Sequence, residues 1–347
     1  MKQEIKDKYL AINQYDKVAT YIKGADKLIL SSHSNPDGDT LGSVLGLYHF
    51  LQEMGISSEM ICPDPAPDFL SWMPDYSKIH IYSEEPKKVE ELILSADVIV
   101  HIDYNAFHRA GDKPQQLFES AKASHLMIDH HPLPQEGFDA YVSDTSACST
   151  AQLVYELTKL MIPNNLLKKN TAECLYVGLI TDTGSFSYGM VDEKPYLMAA
   201  DLVKAGVDDR RIHQFVYNNN TSQRIKLLGF ALSEKLVILE DEHWAYISLE
   251  QAELNRFNYQ AGDIEGLVNY ALSIKGIKMA VLLTERDDKI RMSFRSKDSF
   301  AVNDIARRYF DGGGHLNAAG GNSYVNMEAT IQKLKSTMLE YLEELKS

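Results

Sequence analysis

Three side chains of types that commonly bind metals stand together at one point of the sequence. Asp129, His130 and His131 directly follow the apolar run Leu126–Ile128. That run predicts a buried strand, so the three polar side chains emerge at its carboxyl end, where open α/β sheets bind ligands. Carboxylate and imidazole groups together suit Mn, Zn or Fe. Alone, the tripeptide fits a polar surface turn equally well, so its meaning depends on the rest of the chain.

Three other predicted elements end in residues of the same kind. They carry His33, Asp37 and Asp39 on one turn, Asp103 directly after a strand, and Asp182 near the end of a helix. A helix cap would explain one such carboxylate but not the whole set. If the strands are neighbours, one carboxylate could bridge two cations about 3.5–4 Å apart, the arrangement that clamps the attacking and leaving oxygens of a phosphoryl displacement.

The elements that position these residues alternate between strands and helices. Up to about residue 190, this pattern predicts an α/β fold with a mainly parallel, doubly wound sheet. Asp39 or Thr40 is expected to cap the helix that opens at Leu41, and Gly42 and Gly46 would let that helix approach the sheet closely. Strands are expected over 27–32, 58–62, 97–102 and 126–128, an edge strand over 140–142, and helices over 5–23, 89–94, 151–160 and 171–180.

A second, smaller α/β domain is expected after a connection near residue 220. The expected boundaries are a first domain over 1–220, a linker helix over 221–234 and a second domain over 235–347, with the active site in the cleft between the domains. The apolar patterns of the second domain predict strands over 235–239, 244–249, 278–283 and 290–295, and helices over 262–272, 302–309 and 327–345.

The second domain contains a glycine-rich stretch with a histidine, Gly312–His315. Consecutive glycines let backbone N–H groups approach a phosphate, as in anion-binding nests. The stretch is neither a Walker A loop nor a GxGxxG motif, and a flexible linker is the alternative. Residues 286–308 hold seven basic side chains, and Arg295-Ser296 ends a strand within them, which favours phosphate contact over a merely solvated face.

Composition narrows the class of protein. The chain has 347 residues and a net charge of −14, which argues against binding long duplex nucleic acid. No apolar run approaches the length of about 18 residues that a membrane-spanning helix needs. The three cysteines are far apart and form no CxxC pair, which indicates a reducing compartment, with the cytoplasm as the default.

Taken in order, these motifs resemble the DHH/DHHA1 phosphoesterases of the RecJ superfamily, most closely the short bacterial nano-RNase/pAp phosphatase group. The resemblance covers nearly the whole chain. It is carried by HSNPDGD at 33–39, HID at 101–103, DHH at 129–131, TDTGSF at 181–186, SFRS at 293–296 and GGGHLNAAGG at 312–321.

The resemblance implies a role for each matching residue. His33 and Asp37 would bind a first Mn²⁺, Asp103 would bridge, and Asp39, His130 and Asp182 would complete a second site. Asp129 would orient a histidine, and His131 would stabilise or protonate the leaving group. The phosphate end of a nucleotide would be held by six residues of the second domain, Arg295, Ser296, Gly312, Gly313, Gly314 and His315.

The implied activity is Mn²⁺-dependent hydrolysis of short RNA or linear dinucleotides to nucleoside 5′-monophosphates, and of pAp to AMP and phosphate, by two-metal activation of water. Hydrolysis of cyclic dinucleotides or pyrophosphate, and a non-catalytic nucleotide-binding regulator, are the alternatives. Where many relatives carry glutamate after the third motif, this chain has Gln152, which leaves the ligands intact. Preferred substrate length, direction of degradation, native metal and any homodimer stay open.

Overall fold

The protein is described from a computed structural model. The described residues are 12–162, 167–188, 191–260, 262–286 and 288–346. They form two compact units that divide between Asn219 and Asn220. Each unit is built on its own sheet.

Within the described part of the first unit, a seven-stranded sheet has the order β1-β7-β6-β5-β2-β3-β4. Strands β2 to β7 pair in parallel, and only the two-residue β1 runs antiparallel to its neighbour β7. The predicted α/β class with a mainly parallel sheet is therefore confirmed. The strands are β1 Ile12–Asn13, β2 Leu28–Ser31, β3 Ser58–Cys62, β4 His80–Ile81, β5 Val98–Ile102, β6 Ser124–Asp129 and β7 Ala140–Ser143.

Helices cover both faces of this sheet, as a doubly wound fold requires. Alternate residues of β2 show the division, because Leu28 and Leu30 join one apolar core and Ile29 joins the other. The helices of this unit are α1 Tyr15–Gly24, α2 Gly38–Glu53, α3 Pro86–Ser95, α4 Asp112–Ser120, α5 Thr150–Met161, α6 Lys169–Asp182, α7 Glu193–Lys204 and α8 Asp209–Tyr217. The first core lies under α1, α2, α5 and α6, and the second under α3 and α4.

Two expectations about the outer elements of this unit were wrong. The N-terminal helix expected over 5–23 begins only at Tyr15, since Ile12–Asn13 pairs with β7 as a strand; residues 1–11 lie outside the described part. For the same reason β7 is not an edge strand, because β1 covers its outer side.

Helix α2 is also positioned differently from the expectation. Its cap is Asp37, whose carboxylate accepts hydrogen bonds from the N–H groups of Asp39 and Thr40 at 3.0 and 3.1 Å. The small residues of α2 face helix α6 and not the sheet. A Cβ atom on Gly42 would lie 2.6 Å from both the carbonyl oxygen of Cys174 and the amide nitrogen of Gly178. These glycines allow the close approach of α2 and α6 that brings their ends together.

In the second unit the described strands form a six-stranded sheet in the order β12-β13-β11-β10-β9-β8. Strands β9 and β10 are parallel and the other pairs are antiparallel. The strands are β8 Leu236–Leu239, β9 Trp244–Leu249, β10 Met279–Arg286, β11 Lys289–Ser296, β12 Gly313–His315 and β13 Ala318–Ser323. The helices are α9 Ser222–Phe230, α10 Gln251–Arg256, α11 Leu267–Leu272, α12 Val302–Tyr309, α13 Met327–Leu339 and α14 Leu342–Lys346.

Three expectations about this unit need correction. The helix expected over 262–272 covers only Leu267–Leu272, because Gly266 in the left-handed conformation precedes it. The helix expected over 327–345 is divided into α13 and α14. The flexible linker that was the alternative for the glycine-rich stretch is wrong, since Gly313–His315 pairs with β13. No helix within the described ranges has the length and apolarity that crossing a membrane would need.

Candidate metal centre

The candidate ligands of the first unit come from the carboxyl ends of three strands that lie side by side. Strand β5 pairs with β2 on one side and with β6 on the other. His33 follows β2, Asp103 follows β5, and Asp129 is the last residue of β6. Parallel strands end at one edge of the sheet, so the topology brings together residues that are distant in sequence.

Asp103 lies at the centre of this cluster and is 2% exposed. The hydroxyl groups of Thr40 and Thr150 donate hydrogen bonds to its two carboxylate oxygens, at 2.5 and 2.8 Å. Its backbone has φ of +68°, a left-handed conformation that is uncommon outside glycine. Its N–H still bonds to the carbonyl of Ile128 at 3.0 Å, so the strand pairing continues one residue beyond β5 while the chain turns.

Two groups of donor atoms share the Asp103 carboxylate. Atoms of His33, Asp37 and Asp103 lie within 4.8 Å of one another, and so do atoms of Asp39, Asp103 and His130. An oxygen of Asp182 lies 3.6 Å from His130 Nε2. All six residues for which the sequence predicted metal ligation therefore lie in one cluster.

The two histidines present the same ring nitrogen to the cluster. His33 Nδ1 lies 2.8 Å from the carbonyl oxygen of Ser34, and His130 Nδ1 lies 3.2 Å from that of Ala147. A carbonyl only accepts, so each Nδ1 carries a proton. His33 Nε2 also lies 2.6 Å from the hydroxyl oxygen of Thr40, whose proton goes to Asp103, so this nitrogen donates to Thr40 here and would give up that proton to bind a metal. Nε2 is the atom that faces the carboxylates, at 3.5 Å from Asp103 for His33 and 3.6 Å from Asp182 for His130. This arrangement is typical of histidines that bind metals.

Asp39 is held by the start of helix α5. Its carboxylate accepts hydrogen bonds from the N–H groups of Thr150 and Ala151 at 2.7 and 2.9 Å. These groups have no partner inside the helix, and the helix dipole favours a negative charge at this end. Thr150 thus fixes two carboxylates of the cluster, Asp39 through its backbone and Asp103 through its side chain.

Asp129 and His131 form a pair beside the cluster. The buried Asp129 carboxylate accepts from the backbone N–H of His131 at 3.0 Å and from its Nδ1 at 2.8 Å. The ring is therefore fixed in orientation and carries its proton on Nδ1. His131 Nδ1 is also 3.8 Å from Asp103.

The buried charges perturb one another strongly. Burial raises the pKa of Asp39, and the neighbouring Asp103, Asp182 and Asp37 raise it further. The side chain of Asp182 is 35% exposed, but desolvation by the surrounding protein, together with the charges of Asp37 and Asp103, raises its pKa to about 6 against the opposing charge of His130. For Asp103, burial opposes ionisation, but the neighbouring His33 ring and the charges of the three histidines lower its pKa.

This donor set fits divalent cations. Among the described residues, no lysine or arginine forms an ion pair with Asp37, Asp39, Asp103 or Asp182. The carboxylates that face one another therefore lack a permanent positive partner, and like-charged groups at this spacing are costly when buried. Imidazole nitrogen and carboxylate oxygen in this proportion match the preferences of Mn, Fe and Zn.

The predicted residues of the second unit also come together, through strand register. Arg295 in β11 lies opposite Ala318 in β13, and Ala318 lies opposite His315 in β12. Directly opposed residues of antiparallel strands point to the same face, so Arg295 and His315 flank a small alanine on one face of the sheet. Two strand spacings separate them, about 10 Å between backbones.

Gly312, Gly314 and Ser296 serve mainly structural purposes in this unit, whereas Gly313 has open space beside it. A Cβ atom on Gly312 would lie 2.0 Å from the carbonyl oxygen of Gly320, whereas one on Gly313 would meet nothing within 4 Å. Gly314 has φ of +139°. The buried Ser296 hydroxyl donates to the carbonyl of Phe300 at 2.6 Å. Arg295, His315 and the open face of Gly313 are therefore better placed for a ligand than Ser296 is.

Sequence reasoning missed the two threonines that hold Asp103. The sequence predicts Thr40 only as a possible helix cap, and Thr150 only as the residue before the helix expected over 151–160. Their common signal is a hydroxyl residue in the first turn of a helix that follows a strand of the parallel sheet. Gln152, noted as a departure, completes this helix start, because its side-chain oxygen accepts from the N–H of Cys148 at 3.1 Å and needs no charge to do so.

Comparison with known proteins defines the class. Residues 27–179 match the N-terminal domain of the DHH family, and residues 243–344 match the DHHA1 domain. The chain belongs to the DHH family and is a phosphoesterase of that family.

Individual relatives cover most of the chain. It is 31% identical over 304 residues to the bifunctional oligoribonuclease and PAP phosphatase NrnA of Bacillus subtilis (strain 168), an alignment that covers 86% of this chain and 90% of that protein. The crystal structure of an exopolyphosphatase-related protein from Bacteroides fragilis matches with a TM-score of 0.90 and 35% identity, covering 97% of this chain and 99% of the other. The cyclic-di-AMP phosphodiesterase GdpP of Geobacillus thermodenitrificans is 25% identical over 338 residues, which cover 93% of this chain but 48% of that protein.

Proposed function

We propose that this protein is a Mn²⁺-dependent phosphoesterase that hydrolyses short oligoribonucleotides and linear dinucleotides to nucleoside 5′-monophosphates, and pAp to AMP and phosphate. The proposal includes two metal ions per site and a cytoplasmic location, in keeping with cysteines that are buried and free. The relative of 31% identity named as an oligoribonuclease and PAP phosphatase supports the substrate class.

The observation that carries the proposal is the sharing of Asp103 between two groups of ligands. In the proposed assignment, His33 and Asp37 hold one ion, and Asp39, His130 and Asp182 hold the other. When bound, two such ions would lower the pKa of a water molecule and neutralise charge on the phosphate oxygens. Thr40 and Thr150 keep the Asp103 carboxylate oriented toward both groups.

His131 is the proposed proton donor to the leaving oxygen. Asp129 holds the proton of the neutral ring on Nδ1, so Nε2 is the nitrogen that can exchange a proton with a substrate. To donate, the ring must carry a proton on both nitrogens, and the Asp129 carboxylate stays hydrogen-bonded to Nδ1 in that form. In the second unit, Arg295 and His315 are the proposed contacts of the substrate's terminal phosphate, with Gly312–Gly314 and Ser296 forming their support.

Product analysis on pAp, pApA and a five-residue RNA tests the proposal, with Mn²⁺ present and after chelation. We expect AMP from pAp and pApA and nucleoside 5′-monophosphates from the RNA, all abolished by chelator. Asp103→Asn should remove the activity. Asp97→Asn is the matched control, because Asp97 precedes the same strand at its opposite end and accepts from the N–H of Lys27.

Cyclic di-AMP is the rival substrate, because the chain also matches cyclic-di-AMP phosphodiesterases over most of its length. Turnover of cyclic di-AMP with none of pAp, pApA or RNA would contradict the proposal. Equal activity of the Asp103→Asn variant and the wild type would refute the assigned site itself.

A further inference from the structure

The segment that follows Asp182 has an unusual backbone. Gly184, Ser185 and Phe186 are all in the left-handed region, with φ of +52°, +55° and +65°. Non-glycine residues adopt this conformation only when the surroundings impose it, and such segments are concentrated at functional sites. The N–H groups of Ser187 and Tyr188 return to the carbonyl of Thr183 at 2.8 and 2.9 Å, so residues 183–188 form a tight turn beside a candidate metal ligand.

Two helices hold this turn in place. Ser185 Oγ lies 3.0 Å from Nε2 of His213 in α8. The ring of Phe186 stacks on Tyr196 of α7, with centroids 4.9 Å apart and planes at 17°. Tyr196 is nevertheless 54% exposed, so the aromatic pair has an open face.

The surroundings of the turn are suited to a nucleotide. On the side of α8, an open groove of about 600 Å³ is lined by Asp209, Arg210, His213, Gln214 and Asn218. Guanidinium and amide groups hydrogen-bond phosphates and base edges, and aromatic rings stack on bases of any sequence. Phe186 lies four residues after Asp182 in the sequence and is stacked on the exposed Tyr196. Such an aromatic surface suits a nucleobase better than a bare phosphate.

We infer that the Phe186–Tyr196 pair is a stacking platform for a nucleobase of the substrate. The inference rests on the proposed function and specifies it further. The platform binds the base of a nucleotide whose phosphate lies at the metal centre, so it favours single-stranded substrates with unpaired bases. It acts on substrate affinity and takes no part in bond cleavage.

The test replaces aromatic rings by leucine, which keeps the apolar packing of the turn. The variants are Tyr196→Leu and the double variant Phe186→Leu/Tyr196→Leu, and Tyr270→Leu is the control because Tyr270 is 52% exposed on a helix of the second unit. Steady-state kinetics are measured on pApA and on the same dinucleotide with either base removed. Mn²⁺ affinity is measured in parallel to verify that Asp182 has not moved.

For the double variant we expect KM for pApA to rise about tenfold with kcat within about twofold of the wild type, the loss of one base stack. The abasic dinucleotide that lacks the stacked base should have the same KM in all variants. An unchanged KM for pApA, or an equal rise for the intact and both abasic dinucleotides, would overturn the inference. The inference would also be overturned if light scattering showed that Tyr196→Leu converts a dimer to a monomer while KM stays unchanged. That result would mean that the platform binds a second copy of the chain.

Failure of the proposed function is distinguishable, since the wild type would then not cleave pApA. The Mn²⁺-loaded protein can in that case be titrated directly with a dinucleotide containing 2-aminopurine, whose fluorescence is quenched on stacking. Quenching that is lost in the double variant supports the platform, and quenching that is absent or equal in both proteins refutes it.

Discussion

Replacing Thr150 by valine is the sharpest test of how the candidate centre is held together. Valine has nearly the same shape and keeps the backbone N–H that binds Asp39, so the substitution removes only the hydroxyl. That hydroxyl is buried and donates to Asp103 at 2.8 Å. Loss of a hydrogen bond to a buried carboxylate costs about 1.5–3 kcal/mol of folding free energy.

A second effect should separate Thr150 from an ordinary buried threonine. Asp103 would retain only the hydrogen bond from Thr40 and could rotate away from the shared position between the two ligand groups. Loss of such an orienting group typically weakens metal binding or activity about 10- to 100-fold. We therefore expect Thr150→Val to reduce Mn²⁺ affinity and pApA hydrolysis by at least about tenfold.

Thr171→Val is the matched control. Thr171 is fully buried and donates to a carboxylate oxygen of Glu53 at 2.8 Å, but neither residue belongs to the centre. Urea denaturation of the chelated proteins measures both stability losses, and calorimetric titration with Mn²⁺ measures affinity. Both variants should lose similar stability, and only Thr150→Val should lose metal affinity. Wild-type Mn²⁺ affinity in Thr150→Val would show that the hydroxyl does not orient Asp103.

Three further outcomes are expected. Gly178→Ala should lower thermal stability, at a cost of about 1–3 kcal/mol, and should weaken Mn²⁺ binding, because the new Cβ atom would lie 2.9 Å from Asp39 Oδ1. Gly229→Ala is its control, since a Cβ atom there would meet nothing within 4 Å, and it should leave the melting temperature unchanged or raise it. Asp129→Asn should lower kcat for pApA more than Mn²⁺ affinity, since an NH₂ donor replaces one of the two carboxylate oxygens that accept from His131, and the negative charge beside the ring is lost. Equal losses would instead indicate a structural defect. The pKa of Asp182 in the folded protein is raised from 3.8 to about 6, so the metal-free protein should lose stability as the pH rises through that range. Mn²⁺ should therefore raise Tm more at about pH 8 than at about pH 5. A larger gain in Tm at the lower pH would contradict this prediction.

The convergence of the ligands could be predicted from the sequence because it depends on topology alone. His33, Asp103 and Asp129 each follow or end an apolar strand, and neighbouring parallel strands finish at one edge. The orienting contacts could not be predicted in the same way. A threonine at a helix start is a common cap, and nothing in the sequence shows that the hydroxyls of Thr40 and Thr150 donate to the Asp103 carboxylate instead.

The wrong predictions have a related cause. The sequence gives the type of each residue but not the element that this residue packs against in the fold. The sequence indicates that Gly42 permits a close approach, but the neighbour is helix α6 and not the sheet. The sequence left a flexible linker open for the glycine-rich stretch, but pairing with β13 makes Gly313–His315 a strand. Alignment of Arg295 with His315 depends on the register of three strands, which a local pattern does not determine.

The left-handed conformation of Asp103 turns the chain at the residue whose carboxylate belongs to both groups of candidate ligands. With φ of +68° the chain turns at Asp103 while its N–H keeps the hydrogen bond to Ile128. The two threonines then fix both carboxylate oxygens. Asp103→Gly would accept this backbone without strain but remove the bridge, so that variant should fold and yet fail to bind two Mn²⁺ ions in calorimetric titration; retention of both ions would refute the bridging role.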